Sequence, residues 1–378
     1  EGTRRRSSAE LAEAVEFLGA DISTSADSEN VTIVFRAMRE HLEEAMAIVA
    51  EVAMEPAFKK AELDKLRRRE LDRLALSARN PSWLVRREFY ARLYGDHPYA
   101  HVDTTVEAVR RLSRNDLARW HRTHFVPSNA FMVVTGDVTP AEVERMAGEA
   151  FGKWRGSPVA VAERPAPPER AAREIVVVNR PGSAQSVIVT GNLAIDRNDP
   201  QWIALEVANQ VLGGSAASRL FMDLRERRSL TYGAYSSIHP RIDVGPFVAS
   251  TSVRTDVTAD AVEAIFSHLD RITTSAPEPS EIADAGRFLA DSFPLRIDTP
   301  ANVARMVQDL RVFGLPDEYY DEYRSRVQAV TPEAALGAAR GSIRPDKSLV
   351  VIVGEASAIA EGLRRFGAVT VVETDGSV

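Results

Sequence analysis

The chain has 378 residues, a formal net charge of −7 and 44% hydrophobic residues, which suits two domains with real cores and argues against a nucleic-acid binder built on bulk charge. It contains no cysteine, which excludes disulfides, thiolate metal sites and thiol nucleophiles while leaving the redox compartment open. No apolar run approaches the roughly 18 residues that cross a bilayer, and any signal peptide ahead of Glu1 would lie outside this sequence.

Ser7 and Glu10 form a capping box before "AELAEAVEFLG", with Gly19 as its stop. "ADISTSADSENVTIVFRA" alternates as one or two strands, and "HLEEAMAIVAEVAM" reads as an amphipathic helix. A long helix follows from Lys60 to about Ser77. Its basic run Arg67-Arg68-Arg69 lies beside Glu62, Asp64, Glu70 and Asp72, the composition of a solvated face. Ser113 caps a further helix, which leads through Pro127 into a buried strand over "FMVVTG". Ser157 to Arg173 holds four prolines and no apolar period, so it reads as an exposed linker between domains at 1–156 and 174–378. Beyond it, "GGSAASRLFMDLRERRSLTYGAYSSIHP" predicts a helix from about Ser215 to Arg228 and an extended stretch from about Tyr232. "VGPFVASTSV" is a strand and "ADAVEAIFSHLDRI" the helix after it. Thr331 caps another helix, followed by a turn at Pro345 and a strand.

The two halves repeat one another. Val109 to Asp137 aligns without gaps on Val327 to Glu355 at an offset of 218, so that Pro127 falls on Pro345 and Gly136 on Gly354. Upstream the offset is 219: Glu62 matches Glu281, Pro81 matches Pro300, and Tyr94-Gly95 match Phe313-Gly314. A repeat this long is a duplicated domain. Two strands, then helices, then a strand is an α+β order: a mostly antiparallel or mixed sheet with helices on one side.

Several short motifs suggest chemistry and lack a part. "HRTH", His121 to His124, has metal-sharing spacing but no third ligand. "HLEEA", His41 to Ala45, has alanine where an H-x-x-E-H site needs its second imidazole. "GGSAASR" from Gly213 lacks the G-K-[S/T] of a phosphate loop. His239 and His268 stand isolated and read as structural. Arg225 and Tyr232 flank the helix end seven residues apart, where an arginine suits the helix dipole and a tyrosine suits a strand start.

"EGTRRRSSAELAEAVEFLGADISTSADSENVTI", "LYGDHPYAHVDTTVEAVRRLSRNDLARWHRTHFVPSNAFMVVTGDV", "LGGSAASRLFMDLRERRSLTYGAYS" and the duplication itself resemble the M16 family of zinc peptidases, the pitrilysin, insulysin and mitochondrial processing peptidase group. The resemblance implies a zinc motif just before the G-T matching Gly2-Thr3, which would fall ahead of Glu1, so the amino-terminal domain is expected to be truncated at its start. It also implies a glutamate ligand eight residues before Pro81 and an acidic residue seven earlier. Those positions hold Arg73 and Leu66, and a guanidinium cannot ligate zinc. This chain is therefore expected to bind no metal.

The family's second site carries over. An arginine and, seven residues later, a tyrosine match Arg225 and Tyr232. The resemblance makes them substrate- and transition-state-binding groups donated to the active site of another chain. It implies a bacterial soluble protein, periplasmic or cytoplasmic: the non-catalytic subunit of an M16B heterodimer. The HxxEH-bearing partner would hold the zinc, the substrate would be a peptide, and this subunit would be inactive alone. The alternative is a non-enzymatic M16-like scaffold or peptide-binding subunit.

Overall fold

The computed structural model describes residues 2–160 and 162–375; Val161 of the predicted linker and 376–378 of the predicted second domain lie outside them. The chain forms two compact units. One comprises Glu1–Ala75, Thr104–Glu163 and Thr299–Gln308, the other Leu76–Asp103, Arg164–Asp298 and Asp309–Val378.

In the first unit the Ser8–Phe17 helix begins at the predicted capping box, and Gly19 follows it at φ +56°. Strands β1 (Asp21–Ala26) and β2 (Val31–Arg36) pair antiparallel. Val15, Leu18, Ala45 and Ile48 form the small core beside them, joined by Ile22 and Phe35 from the strands. Gly2 sits at φ +88° and Thr3 bridges to Pro56. The Thr3 hydroxyl and the Arg6 guanidinium both donate to the buried Glu51 carboxylate.

The sheet of the second unit has the order β5-β6-β4-β7-β3-β8. Its strands are β3 (Glu174–Asn179), β4 (Gln185–Leu193), β5 (Thr231–Ile238), β6 (Pro246–Arg254), β7 (Leu349–Gly354) and β8 (Ala368–Val372). Pairing is antiparallel from β5 to β7 and parallel from β7 to β8. The mixed α+β order read from the sequence is thus realised. The Trp202–Leu212, Thr258–Thr274, Pro332–Ser342 and Ala356–Leu363 helices pack together as one layer on the sheet. The other face of the central strands is also covered. Leu84, Phe89, Leu93 and Tyr94 of the Pro81–Tyr94 helix pack on Val176, Val178, Val351 and Val353. Every residue of β7 is buried, which explains its unbroken apolar run.

The duplication is visible element by element. The Pro81–Tyr94 helix falls on Pro300–Phe313, Arg114–His124 on Pro332–Ser342, and the Pro127–Asn129 turn on Pro345–Lys347. Gly95 and Gly314 end their helices at φ +59° and +64°. One predicted element departs from the pattern. "FMVVTG" forms no strand, and Phe131 and Met132 are 52% and 45% exposed. Its counterpart β7 lies between β4 and β3 and bonds to both. In the first unit the only sheet among the described residues is β1-β2, which does not reach this segment. An apolar run supplies side chains for a strand but not its hydrogen-bonding neighbours.

Among the described residues no helix is long and apolar enough to cross a membrane.

Candidate functional site

Leu66 and Arg73 lie on the Lys60–Ser77 helix, 42% and, at the side chain, 45% exposed. Seven residues are about two turns, so they share a face. Arg73 donates to Glu70 through Nε and Nη2, at 3.0 and 2.5 Å. Among the described residues no three histidine, cysteine or carboxylate side chains gather as a metal site. A leucine and an ion-paired arginine on this face do not fit zinc.

The short motifs are absorbed by the fold. His121 Nε2 meets the Ala53 carbonyl at 2.7 Å and His124 Nδ1 the Trp120 carbonyl at 2.9 Å. His41 ends a short helical turn beside Glu40. In "GGSAASR" the glycines serve close approach: a Cβ on Gly213 would lie 2.4 Å from the Ser236 nitrogen, and one on Gly214 2.8 Å from the Gln210 Cα. Asn209 and Ser236 stitch the same turn to β5 by a 2.7 Å hydrogen bond.

The junction carrying Arg225 and Tyr232 is more specialised than a plain helix end. The helix is shorter than predicted: α-helical turns span only Arg219–Phe221, and Met222–Arg227 is a π-helix. Such insertions recur at functional sites because the extra residue re-aims the side chains after it. Leu220 and Leu224 are fully buried, and Arg225 turns outward with its side chain 47% exposed. Its guanidinium lies 4.9 Å over the Phe221 ring and 3.4 Å from Glu226. The Phe221 ring in turn packs on Tyr235, with centroids 5.5 Å apart. Ser229 takes φ +54°, and Leu230 donates back to the Leu224 carbonyl at 2.8 Å. This reversal delivers the chain into β5, where Tyr232 is 90% exposed.

Two residues missed by sequence reasoning hold the π-helix. Asp223 accepts from His268 Nε2 at 3.0 Å and from Arg228 at 3.1 Å. Burial pushes its carboxyl up, but these two donors outweigh it and leave the pKa below the ordinary value. Burial lowers the His268 pKa. Arg219 makes a two-pronged contact with Glu281 at 2.7 and 2.6 Å, anchoring the start of the segment to the Pro279–Ser292 helix. The signal for Asp223 is an acid at an inward position of "FMDLRE", one turn before Arg227. It reads as a surface charge unless the helix register is known.

His239 is likewise engaged: Nδ1 meets the Tyr90 hydroxyl and Nε2 the Ser237 hydroxyl.

An edge strand carrying an exposed tyrosine, entered from a π-helix that presents an arginine, stands in the second copy of a duplicated α+β domain. Among the described residues no group of three histidine, cysteine or carboxylate side chains could hold a metal ion. Residues 111–287 match the family model "Peptidase M16 inactive domain", and residues 1–102 match "Insulinase (Peptidase family M16)". The chain belongs to peptidase family M16. It is similar to an uncharacterised zinc protease of Streptomyces coelicolor, 26% identical over 359 residues that cover 93% of this chain and 78% of that protein. A Bacillus subtilis counterpart with the same description is 21% identical over 353 residues, 93% of this chain and 85% of its own. Among solved structures, a peptidase M16 inactive domain from Pseudomonas fluorescens superposes with a TM-score of 0.87 at 27% identity, covering 94% of this chain and 85% of that one. A Helicobacter pylori protease shares the fold, with a TM-score of 0.86 at 17% identity over 94% and 86% of the two chains.

Proposed function

We propose that this chain is the non-zinc-binding subunit of an M16B metallopeptidase. It would lend Arg225 and Tyr232 in trans to the active site of an HxxEH-bearing M16 partner, whose zinc and general base would perform the hydrolysis. The observation that carries the reading is Tyr232, 90% exposed on an edge strand. A phenol this exposed is free to serve another chain. Peptide carbonyls need donors, which the planar guanidinium fork of Arg225 supplies. The phenol can donate to the oxygen that becomes negative as the scissile carbonyl is attacked, and such a donor acts most strongly where water is excluded. Leu66 and Arg73 support the same division of labour, because neither side chain can ligate zinc.

The test is reconstitution. Purified alone, the chain should carry no stoichiometric zinc and hydrolyse no peptide; mixed with an HxxEH-bearing M16 chain from the same genome, it should restore hydrolysis. Zinc and turnover in the isolated chain would contradict the proposal. Turnover by the partner that is indifferent to this chain would favour a non-enzymatic M16-like scaffold.

A further inference from the structure

The ladder between β5 and β6 breaks at one place. Thr231 pairs with Val253 and Ala234 with Thr251, so three steps along β5 match two along β6. The additional residue makes a bulge at Tyr232-Gly233. In an unbroken strand, residues three apart face opposite sides. Here Tyr232 and Tyr235 are both outward, 90% and 46% exposed, while Ala234 between them is 1% exposed. The bulge is what allows both.

A bulge leaves backbone groups without ladder partners, and two threonine hydroxyls take them up. Gly233 N–H donates to Thr231 Oγ1 at 3.1 Å. The Gly233 carbonyl accepts from Thr251 Oγ1 at 2.9 Å. The Thr231 hydroxyl reaches the Ser252 carbonyl at 2.7 Å, and the two hydroxyl oxygens lie 3.0 Å apart. A hydroxyl both donates and accepts, so this pair can satisfy an N–H and a C=O together. Gly233 completes the arrangement: a Cβ there would lie 2.8 Å from the Tyr235 ring.

We propose that Thr231 and Thr251 are positioning residues whose hydroxyls lock the Tyr232-Gly233 bulge and thereby aim the Tyr232 phenol away from the sheet. The inference rests on the reading of Tyr232 as a group that serves the partner's active site. Neither threonine need touch the substrate. Replacing both by valine keeps shape and strand preference but strips the bulge of its partners. The ladder can then slide by one residue or loosen, and either moves the phenol.

The experiment compares Thr231→Val/Thr251→Val with Thr251→Ser and the unsubstituted chain, each labelled in its tyrosine rings. Three quantities are read: the ring NMR signal of Tyr232, assigned by its loss in Tyr232→Phe; the thermal midpoint; and kcat and KM of the pair with the HxxEH-bearing chain. The double valine variant should shift or broaden the Tyr232 signal and lower kcat about tenfold, the scale of a small misplacement, with KM within about twofold. Thr251→Ser should match the unsubstituted chain. If the double variant does not fold, Thr251→Val alone carries the same readouts. An unmoved Tyr232 signal in a folded variant, or kcat unchanged in the double variant while Tyr232→Phe lowers it, would overturn the proposal. A moved signal in the valine variant, together with full turnover by Tyr232→Phe, would retain the lock and reject the catalytic use of Tyr232.

Discussion

The Arg225 guanidinium stacks 4.9 Å above the Phe221 ring, and both residues belong to one continuous turn of helix that changes from α to π between them. Lysine keeps the charge but has neither the plane nor the paired donors. Arg225→Lys should therefore lower kcat/KM of the reconstituted pair about tenfold, or ~1.4 kcal/mol. The thermal midpoint should stay nearly unchanged, since the side chain is half exposed.

Asp223 is the buried acid of the same segment, held by His268 and Arg228. Removing its carboxylate leaves His268 facing an empty site. Asp223→Ala should cost about 1–3 kcal/mol in urea unfolding, the scale for leaving a buried hydrogen-bonding group without its partner. Asp223→Asn, which keeps an acceptor, should cost less.

His239 makes stability pH-dependent. Burial pushes its imidazole down to about 4, and Arg241 and Arg86 push the same way. In the unfolded chain a histidine titrates near about 6.5. Between those values the unfolded state binds the additional proton, so the stabilisation is fully present above about 6.5 and is lost as pH falls towards about 4. The loss should approach about 3 kcal/mol at the acid end. Urea midpoints across this range should show a shallower slope for His239→Gln than for the unsubstituted chain.

Phe89 is fully buried between the Pro81–Tyr94 helix and the sheet. Phe89→Ala should destabilise the second unit by about 3–5 kcal/mol. Amide exchange would show the loss in β3 and β7, although Phe89 precedes the predicted linker. Unaltered protection of those strands would contradict the packing described.

Much of this fold was legible because spacing and punctuation are local. Ser7 with Glu10, Ser113 and Thr331 marked helix starts, and the offsets of 218 and 219 located equivalent elements in both halves. Arg225 and Tyr232 could be named from the family pattern. What could not be read depends on partners distant in sequence. "FMVVTG" has the composition of a strand but lacks neighbours. The Pro81–Tyr94 helix packs on a sheet whose strands all follow the linker. The π-helix and the bulge each involve one additional residue in a regular element. They are stabilised by Asp223–His268 and Thr231–Thr251, contacts of 45 and 20 residues in separation. No periodicity reports such pairings.

The central claim is that this chain contributes donors to chemistry performed elsewhere. It is tested most directly by kcat of the reconstituted pair containing Tyr232→Phe or Arg225→Ala. Each should fall about 10²-fold or more, the scale for losing one transition-state donor, with pair formation intact by sedimentation. Full turnover by both variants in an intact pair would contradict it.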